Sequence, residues 1–300
     1  MTVIVPAHND AEGLAKVLSS LLPKAKELGW RIIVVNDAST DNTAQLLASS
    51  GDALTVITNE TNRGYGASIK RGILHADTQW VATMDADNQH RLSDLEHMFG
   101  LLDDNTDALL GSRDERSNAP LARRPGKWVL KHAANFLAAS TIPDINCGLR
   151  IFRRSIILEL FNITSDRFSF STSSTIALLQ LNCRVRFIPV IVDPRVGKSA
   201  VRQVRDGLYT LLLILRLIFL FHPLRVMLPL GCGLLLMGIL SFIATLIWGE
   251  IAVTKSTLLL FLSGVNIFFF ALIADQNSSL RRDFLLTKIR MDQYRSDVNE

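Results

Sequence analysis

The sequence predicts an α/β domain on a mostly parallel sheet, followed by an interfacial helix and a two-helix transmembrane hairpin. Short β-rich runs alternate with helical patterns over residues 1–110, the pattern of a parallel sheet covered on both faces. Two apolar stretches, residues 226–248 and 257–274, contain no charged residue and approach the roughly 17–25 residues that cross a bilayer. Between domain and hairpin, residues 208–221 are apolar but short, with Arg216 in the middle. A central arginine is costly in hydrocarbon, so this segment reads as an amphipathic helix on the membrane surface, with a third span as the alternative.

Taken in order, residues 2–5 form a strand, and Met1 leads into it with no cleavable leader. Asn9 or Asp10 then caps a helix whose apolar stripe is Leu14, Val17, Leu18 and Leu21. Glu12, three residues after Asn9, suggests a capping box. A second strand covers 31–35, and Ser39 or Thr40 caps a helix running through Leu46 and Leu47. A third strand covers 54–57, a third helix 65–74 and a fourth strand 80–84. Ligands of such sheets sit beyond the carboxyl ends of the strands, which gathers residues 7–10, 36–41 and 85–90 around one crevice. The stretch 111–206 is more irregular and more basic, with a helix at 127–139, a loop at 142–148, a strand at 149–152, a helix at 174–181 and a strand at 185–192.

The apolar run Trp80-Val81-Ala82-Thr83-Met84 ends in Asp85-Ala86-Asp87. In extended backbone, residues i and i+2 share a side, so the two carboxylates converge and repel unless a cation lies between them. A hard divalent ion answers this, since magnesium is held by one or two carboxylates plus substrate phosphates. Taken alone, a solvated turn closing a strand accounts for the pair equally well. His8 and His90 match no zinc spacing and read as wall residues.

Composition narrows the class. The 300 residues are 48% hydrophobic with a net charge of +4, and mean hydropathy is +0.25. Basic residues flank the hairpin on its outer sides (Arg195, Lys198, Arg202, Arg205, Arg216 and Arg225 before it, Arg281, Arg282, Lys288 and Arg290 after it), while the connecting loop holds only Lys255. That bias places both termini and the large N-terminal domain in the cytoplasm. It also favours anionic lipid over nucleic acid, for which no module is present. Cys147, Cys183 and Cys232 are isolated and read as reduced thiols.

Four clusters follow one another: Val3-Ile4-Val5-Pro6-Ala7-His8-Asn9, Val34-Val35-Asn36-Asp37-Ala38-Ser39-Thr40-Asp41, Asn62-Arg63-Gly64-Tyr65-Gly66-Ala67 and Met84-Asp85-Ala86-Asp87-Asn88-Gln89-His90. In this order they resemble inverting family-two glycosyltransferases of the GT-A (Rossmann-like) fold. Within that family the chain is most similar to the polyprenyl-phosphate (dolichol- or undecaprenyl-phosphate) sugar transferases. Gly111-Ser112-Arg113, residues 142–152, Pro194-Arg195-Val196-Gly197-Lys198-Ser199 and the hairpin agree, so the resemblance covers nearly the whole chain.

The resemblance implies a nucleotide-diphosphate sugar donor, a polyprenyl-phosphate acceptor and a divalent metal, Mg2+ or Mn2+. It assigns the metal to Asp85 and Asp87, with Gln89 completing the shell, and the nucleotide base or ribose to Asp37. Pro6, Ala7, Asn9 and Ala86 wall the nucleotide sugar. Arg63 with Gly64 and Gly66 lets the chain pass close to it, and Arg195 and Lys198 clamp the donor phosphates. Arg113, Lys127 and Lys131 hold the lipid phosphate, and Asp144 orients it or acts as base. The chain departs from the family at Asn36, where an acidic residue is common, at Lys127 and Lys131, where arginine and serine are frequent, and at Asn88. UDP-glucose is the first expectation for the donor, with GDP-mannose and a modified arabinose next. Prenyl length and homo-oligomer formation stay open. A saccharide acceptor, or a non-catalytic membrane scaffold of the same fold, is the competing expectation. The former usually adds a Gln-x-x-Arg-Trp signature and further spans, which this sequence lacks.

Overall fold

A fully buried run near the start of the chain becomes an inner strand of the sheet. β1 (Thr2–Ala7) is buried at every position and lies between β2 (Arg31–Asn36) and β4 (Trp80–Thr83), parallel to both. The computed structural model describes residues 1–113, 142–193, 212–213, 215–217, 219–248 and 253–298. With β3 (Thr55–Thr58), β5 (Ala108–Arg113), β6 (Arg150–Arg153) and β7 (Val185–Val190), the seven-stranded sheet has the order β3-β2-β1-β4-β6-β5-β7. Only β6 runs against the rest, pairing antiparallel with β4 and β5. The expectation of a mostly parallel sheet therefore holds.

Among the described residues, the sheet is accompanied by helices α1 (Ala11–Leu28), α2 (Thr43–Ala48), α3 (Tyr65–His75), α4 (Leu92–Gly100), α5 (Arg154–Glu159) and α6 (Phe170–Gln180); the helix expected at 127–139 lies outside them. The stripe Leu14, Val17, Leu18 and Leu21 is buried as the periodicity requires, each side chain contributing about 1.5–3 kcal/mol on leaving water. Gly29 closes α1 in the left-handed region at φ 65°, its N–H donating to the Ala25 carbonyl.

The expected caps are corrected. Asn9 takes φ 53° and its side-chain Oδ1 accepts the Thr40 and Asp41 N–H groups. Asp10 holds the cap position with no cap bond from its side chain, and Glu12 pairs with Lys16, so no capping box forms. Ser39 and Thr40 likewise do not cap α2. Its cap position is Asn42, and Asp41 Oδ1 accepts the Thr43 N–H.

The chain divides into two compact units, Met1–Leu213 with Lys288–Glu300, and Ile214–Thr287. Of the interfacial helix expected over 207–225, the described residues among 212–221 are helical, the helix stops before His222 and Pro223, and Leu224 and Arg225 already belong to the next helix; residues 207–211, 214 and 218 lie outside the described residues. α7 (Leu224–Ile247) and α8 (Lys255–Val298) follow. Leu224–Ile247 and Lys255–Ile289 are each long and apolar enough to cross a membrane. Small residues set their packing: a Cβ on Gly231 would lie 3.3 Å from the Gly264 carbonyl oxygen, and one on Gly238 3.3 Å from the Phe261 nitrogen. The helix that carries the second span, expected over 257–274, does not stop there. α8 runs on for 44 residues, about 66 Å at 1.5 Å per residue. The stretch from 275 to 298 is thus helical, in keeping with its lack of glycine and proline.

Candidate active site

The carboxyl ends of β2, β1 and β4 lie side by side, and the three polar clusters expected at one crevice are the segments that leave them. β4 ends at Thr83, whose hydroxyl donates to the Gly148 carbonyl at 2.7 Å. The backbone then turns through Ala86 and Asp87, with Asn88 at φ 58°. Asp85 and Asp87 are therefore carried by a turn, not by the i, i+2 spacing of an extended strand, which corrects that argument. The turn is packed from beneath by α1, where a Cβ on Gly13 would lie 2.6 Å from the Ala86 carbonyl oxygen and 3.0 Å from Asp87 Cα.

The two carboxylates differ. Asp85 has a side chain 29% exposed, while Asp87 is 5% exposed and Oδ1 accepts the Gln89 N–H at 3.2 Å. Tyr65 Oη donates to Asp85 Oδ1 at 2.7 Å, and His90 Nε2 lies 3.4 Å from Oδ2. Gly148 presses so closely that a Cβ there would overlap the Asp85 carboxylate. Loss of hydration, and then the Asp85 charge, hold the Tyr65 phenol well above its ordinary range, so it remains a donor. Gln89 points its amide nitrogen to the Asp193 carbonyl at 3.2 Å. Arg91 makes a bidentate pair with Asp193, and His90 forms an isolated bridge with Val192.

At the end of β2, Asp37 is buried and its carboxylate is occupied by protein donors. Oδ1 accepts Asn59 Nδ2 at 2.7 Å and the Arg63 N–H at 2.8 Å, and Oδ2 accepts the Gly64 N–H at 2.8 Å. His8 Nδ1 lies 2.7 Å from the Asp37 carbonyl oxygen. Pro6 and Ala7 stand opposite Val35 and Asn36 in the β1–β2 ladder, and Ala86 is buried. Gly64, at φ 101°, and Gly66 do make a close approach, but to protein: a Cβ on Gly64 would lie 2.8 Å from the Asp166 carbonyl oxygen, and one on Gly66 would overlap that of Ser165.

Asp144 and Arg113 form a bidentate pair, Nε to Oδ2 at 2.5 Å and Nη2 to Oδ1 at 3.0 Å. The Asn146 N–H adds a bond at 2.9 Å. Burial, the largest single influence, would raise the Asp144 carboxyl, but the hydrogen bonds and charge of Arg113 together with the Asn146 N–H bond hold it below the usual carboxylate range. It is a fixed anion. Beneath the same loop, buried Arg150 donates to the carbonyls of Cys147 and Ile145 and to the hydroxyls of Ser174 and Thr175 on α6. Burial pushes the Cys147 thiol up to about 11, so it stays a thiol.

Lys127, Lys131, Arg195 and Lys198 lie outside the described residues. Among the described residues no group of three or more His, Cys, Asp and Glu side chains could hold a metal ion. The turn instead offers two carboxylates at strand ends, a hard-oxygen donor set that suits Mg2+ or Mn2+ when phosphate oxygens supply the remaining ligands. His90, expected as a wall residue, stands beside the Asp85 carboxylate, and Tyr65, Gly148 and Arg150 have no role assigned from the sequence. Only Arg150, a lone cation in the apolar run Leu149-Arg150-Ile151-Phe152, carries a signal there.

The chain matches the family model described as glycosyl transferase family 2 over residues 2–161, and the one described as GtrB C-terminal hairpin over residues 222–280. It is 29% identical over 199 residues to an uncharacterized glycosyltransferase of Mycobacterium tuberculosis, covering 66% of this chain and 87% of the relative. It is 25% identical over 284 residues to the undecaprenyl-phosphate 4-deoxy-4-formamido-L-arabinose transferase of Proteus mirabilis, covering 87% and 81%. Among solved structures, glucosyl-3-phosphoglycerate synthase from Mycobacterium tuberculosis, in complex with Mn2+, UDP-glucose and phosphoglyceric acid, superposes with a TM-score of 0.58 at 16% identity, over 72% of this chain and 78% of that one. The same enzyme with Mn2+, UDP and glucosyl-3-phosphoglycerate gives 0.55 at 18%, over 71% and 78%. At these identities the likeness is one of fold.

Proposed function

Since the chain belongs to glycosyl transferase family 2, with a GT-A domain followed by an apolar hairpin, we propose that it transfers a sugar from a nucleotide-diphosphate sugar to a polyprenyl phosphate. The transfer takes place at the cytoplasmic membrane face, with inversion and with Mg2+ or Mn2+. The observation that carries this reading is the Asp85–Asp87 turn at the end of a central strand, in a chain that also has two helices able to cross a membrane. A soluble acceptor would not call for that hairpin, whereas a prenyl-linked phosphate presents its head at the lipid surface. The relative acting on undecaprenyl phosphate supports the acceptor class. The fold neighbour bound to UDP-glucose and Mn2+ supports UDP-glucose as the first donor to try.

Asp85 and Asp87 would hold the metal, with Gln89 beside them. When bound, the ion supplies charge to the departing diphosphate. Pro6, Ala7, Asn9, Arg63, Gly64 and Ala86 would form the nucleotide side, with Asp37 anchoring the 59–64 loop behind it, and Arg195 and Lys198 would clamp the diphosphate. Arg113, Lys127 and Lys131 would meet the acceptor phosphate. That phosphate, with a second pKa near 6, is already an anion and needs positioning more than deprotonation. Asp144, held as an anion by Arg113, suits orientation of that arginine better than proton abstraction. The assigned organisation is a cytoplasmic catalytic domain at 1–206, an interfacial segment at 207–225, spans within 226–274, and a cytoplasmic C-terminal stretch from 275.

The test offers the full-length protein, in detergent with Mg2+ or Mn2+, a panel of labelled nucleotide sugars with undecaprenyl or dolichyl phosphate. Label should enter the organic phase from one donor, and the Asp85→Asn and Asp87→Asn variants should lose it. Absence of transfer from every donor, or transfer undiminished in both variants, overturns the reading.

A further inference from the structure

The geometry points to Tyr65 as a positioning residue that fixes the Asp85 carboxylate, with Phe168 fixing Tyr65 in turn. This deepens the metal reading above and rests on it. Tyr65 is the first residue of α3, and its hydroxyl donates to Asp85 Oδ1 at 2.7 Å. An O–H bond to a carboxylate is among the stronger hydrogen bonds a protein makes. On another side the carboxylate packs against Gly148, where a Cβ would overlap it. Tyr65 itself is held through its ring. Phe168 stacks on it with centroids 5.9 Å apart and planes 9° apart, although Phe168 is 46% exposed.

The segment that carries Phe168 is fastened to α3 at several points. Lys70 Nζ donates to the carbonyls of Phe161 and Thr164 at 2.8 and 2.7 Å and to Asp166 Oδ1 at 2.6 Å. The Ala67 N–H donates to the Asp166 carbonyl at 2.9 Å. Gly64 and Gly66 allow this closeness, since a side chain at either would strike the backbone of 165–166. The aromatic pair therefore stands on framework, and its polar end reaches the carboxylate that would meet the metal. Groups that orient a ligating carboxylate from behind typically carry about 10–100-fold in metal affinity or activity.

The experiment titrates Mn2+ into the full-length protein in detergent, with UDP present, and follows free Mn2+ by electron paramagnetic resonance. Tyr65→Phe keeps the ring and removes the hydroxyl. Its Mn2+ dissociation constant is expected to rise about 10–100-fold, with the melting temperature held near wild type. Phe168→Leu is expected to raise the constant less, and the double variant to bind no worse than Tyr65→Phe, because Phe168 acts through the hydroxyl. Wild-type binding in Tyr65→Phe overturns the inference and leaves the metal reading standing. Additive losses in the double variant overturn the part given to Phe168. A wild-type protein that takes up no Mn2+ overturns the metal reading and this inference together.

Discussion

Replacing Asp37 separates two roles for that carboxylate: contact with a nucleotide, or anchorage of the loop at 59–64. It is 3% exposed, and its oxygens accept Asn59 Nδ2 and the Arg63 and Gly64 N–H groups at 2.7–2.8 Å. Hydrogen bonds to charged groups are worth about 1.5–3 kcal/mol each, and a buried donor left without a partner adds its desolvation cost. In Asp37→Asn the best rotamer keeps the two bonds on one oxygen and sets an amide NH2 against the Gly64 N–H. One charge-assisted bond is lost and two donors face each other, for about 2–3 kcal/mol in total. In Asp37→Ala all three donors are orphaned, and about 3–5 kcal/mol is expected, short of additivity because the partners share one loop. For a unit of this size 1 kcal/mol moves the melting temperature by about 2–4 °C, so Asp37→Asn should melt about 4–12 °C lower in detergent. Any residual transfer should keep the wild-type order of preference among UDP, GDP and other donors. An Asp37→Asn protein that melts like wild type yet changes its nucleotide preference refutes anchorage and restores the base or ribose contact.

Three further outcomes follow from the same geometry. Gly148→Ala puts a methyl group into the Asp85 carboxylate, so transfer should fall by about 100-fold or more, corresponding to roughly 3 kcal/mol of barrier, while circular dichroism stays unchanged; retained activity would mean Asp85 can swing away. Arg150→Met leaves two carbonyls and two hydroxyls under the 142–148 loop without their donor, and about 3–5 kcal/mol of stability should be lost, read as a fall in melting temperature. The Asp144 carboxyl sits below its ordinary value because Arg113 and the Asn146 N–H together outweigh burial. Its stabilising contribution is therefore complete above the ordinary carboxylate range and is lost as pH falls through the depressed value. Wild type and Asp144→Asn should accordingly differ in melting temperature by a constant amount between pH 6 and 8 and converge only in strong acid; a difference that changes across neutrality would contradict the fixed anion.

What the sequence revealed and what it concealed divide by range along the chain. The strands of 2–7, 31–36 and 80–83 were legible because a buried parallel strand needs a continuous apolar run. The α1 stripe was legible because helical spacing is local. The hairpin was legible from length and purity alone. Legibility failed where a side chain bonds to a distant segment. Asn9 looked like a cap until the Thr40 and Asp41 N–H groups claimed its oxygen. Gly64 and Gly66 looked like room for a ligand, whereas the backbone at 165–166 occupies that side. The helix that carries the second span runs on past Asp275, because charge ends a membrane segment without ending a helix.

The carboxylate turn has a geometry that strand alternation does not anticipate. Strand alternation would make Asp85 and Asp87 equivalent neighbours on one side of an extended chain. Thr83 ends the strand, Asn88 adopts the left-handed region, and Gly13 of α1 packs against the turn between them. The two carboxylates consequently enter different surroundings. Asp87 is nearly covered and bonds within its own turn, so it holds the shape of the site as well as contributing charge to it. Asp85 is the more accessible and is steered by Tyr65 and Gly148, residues from two other segments. An ion shared by such a pair would meet one ligand fixed by local backbone and one fixed by tertiary packing. Substitutions around Asp85 should therefore move metal affinity with little change in stability, and substitutions at Asp87 should move both.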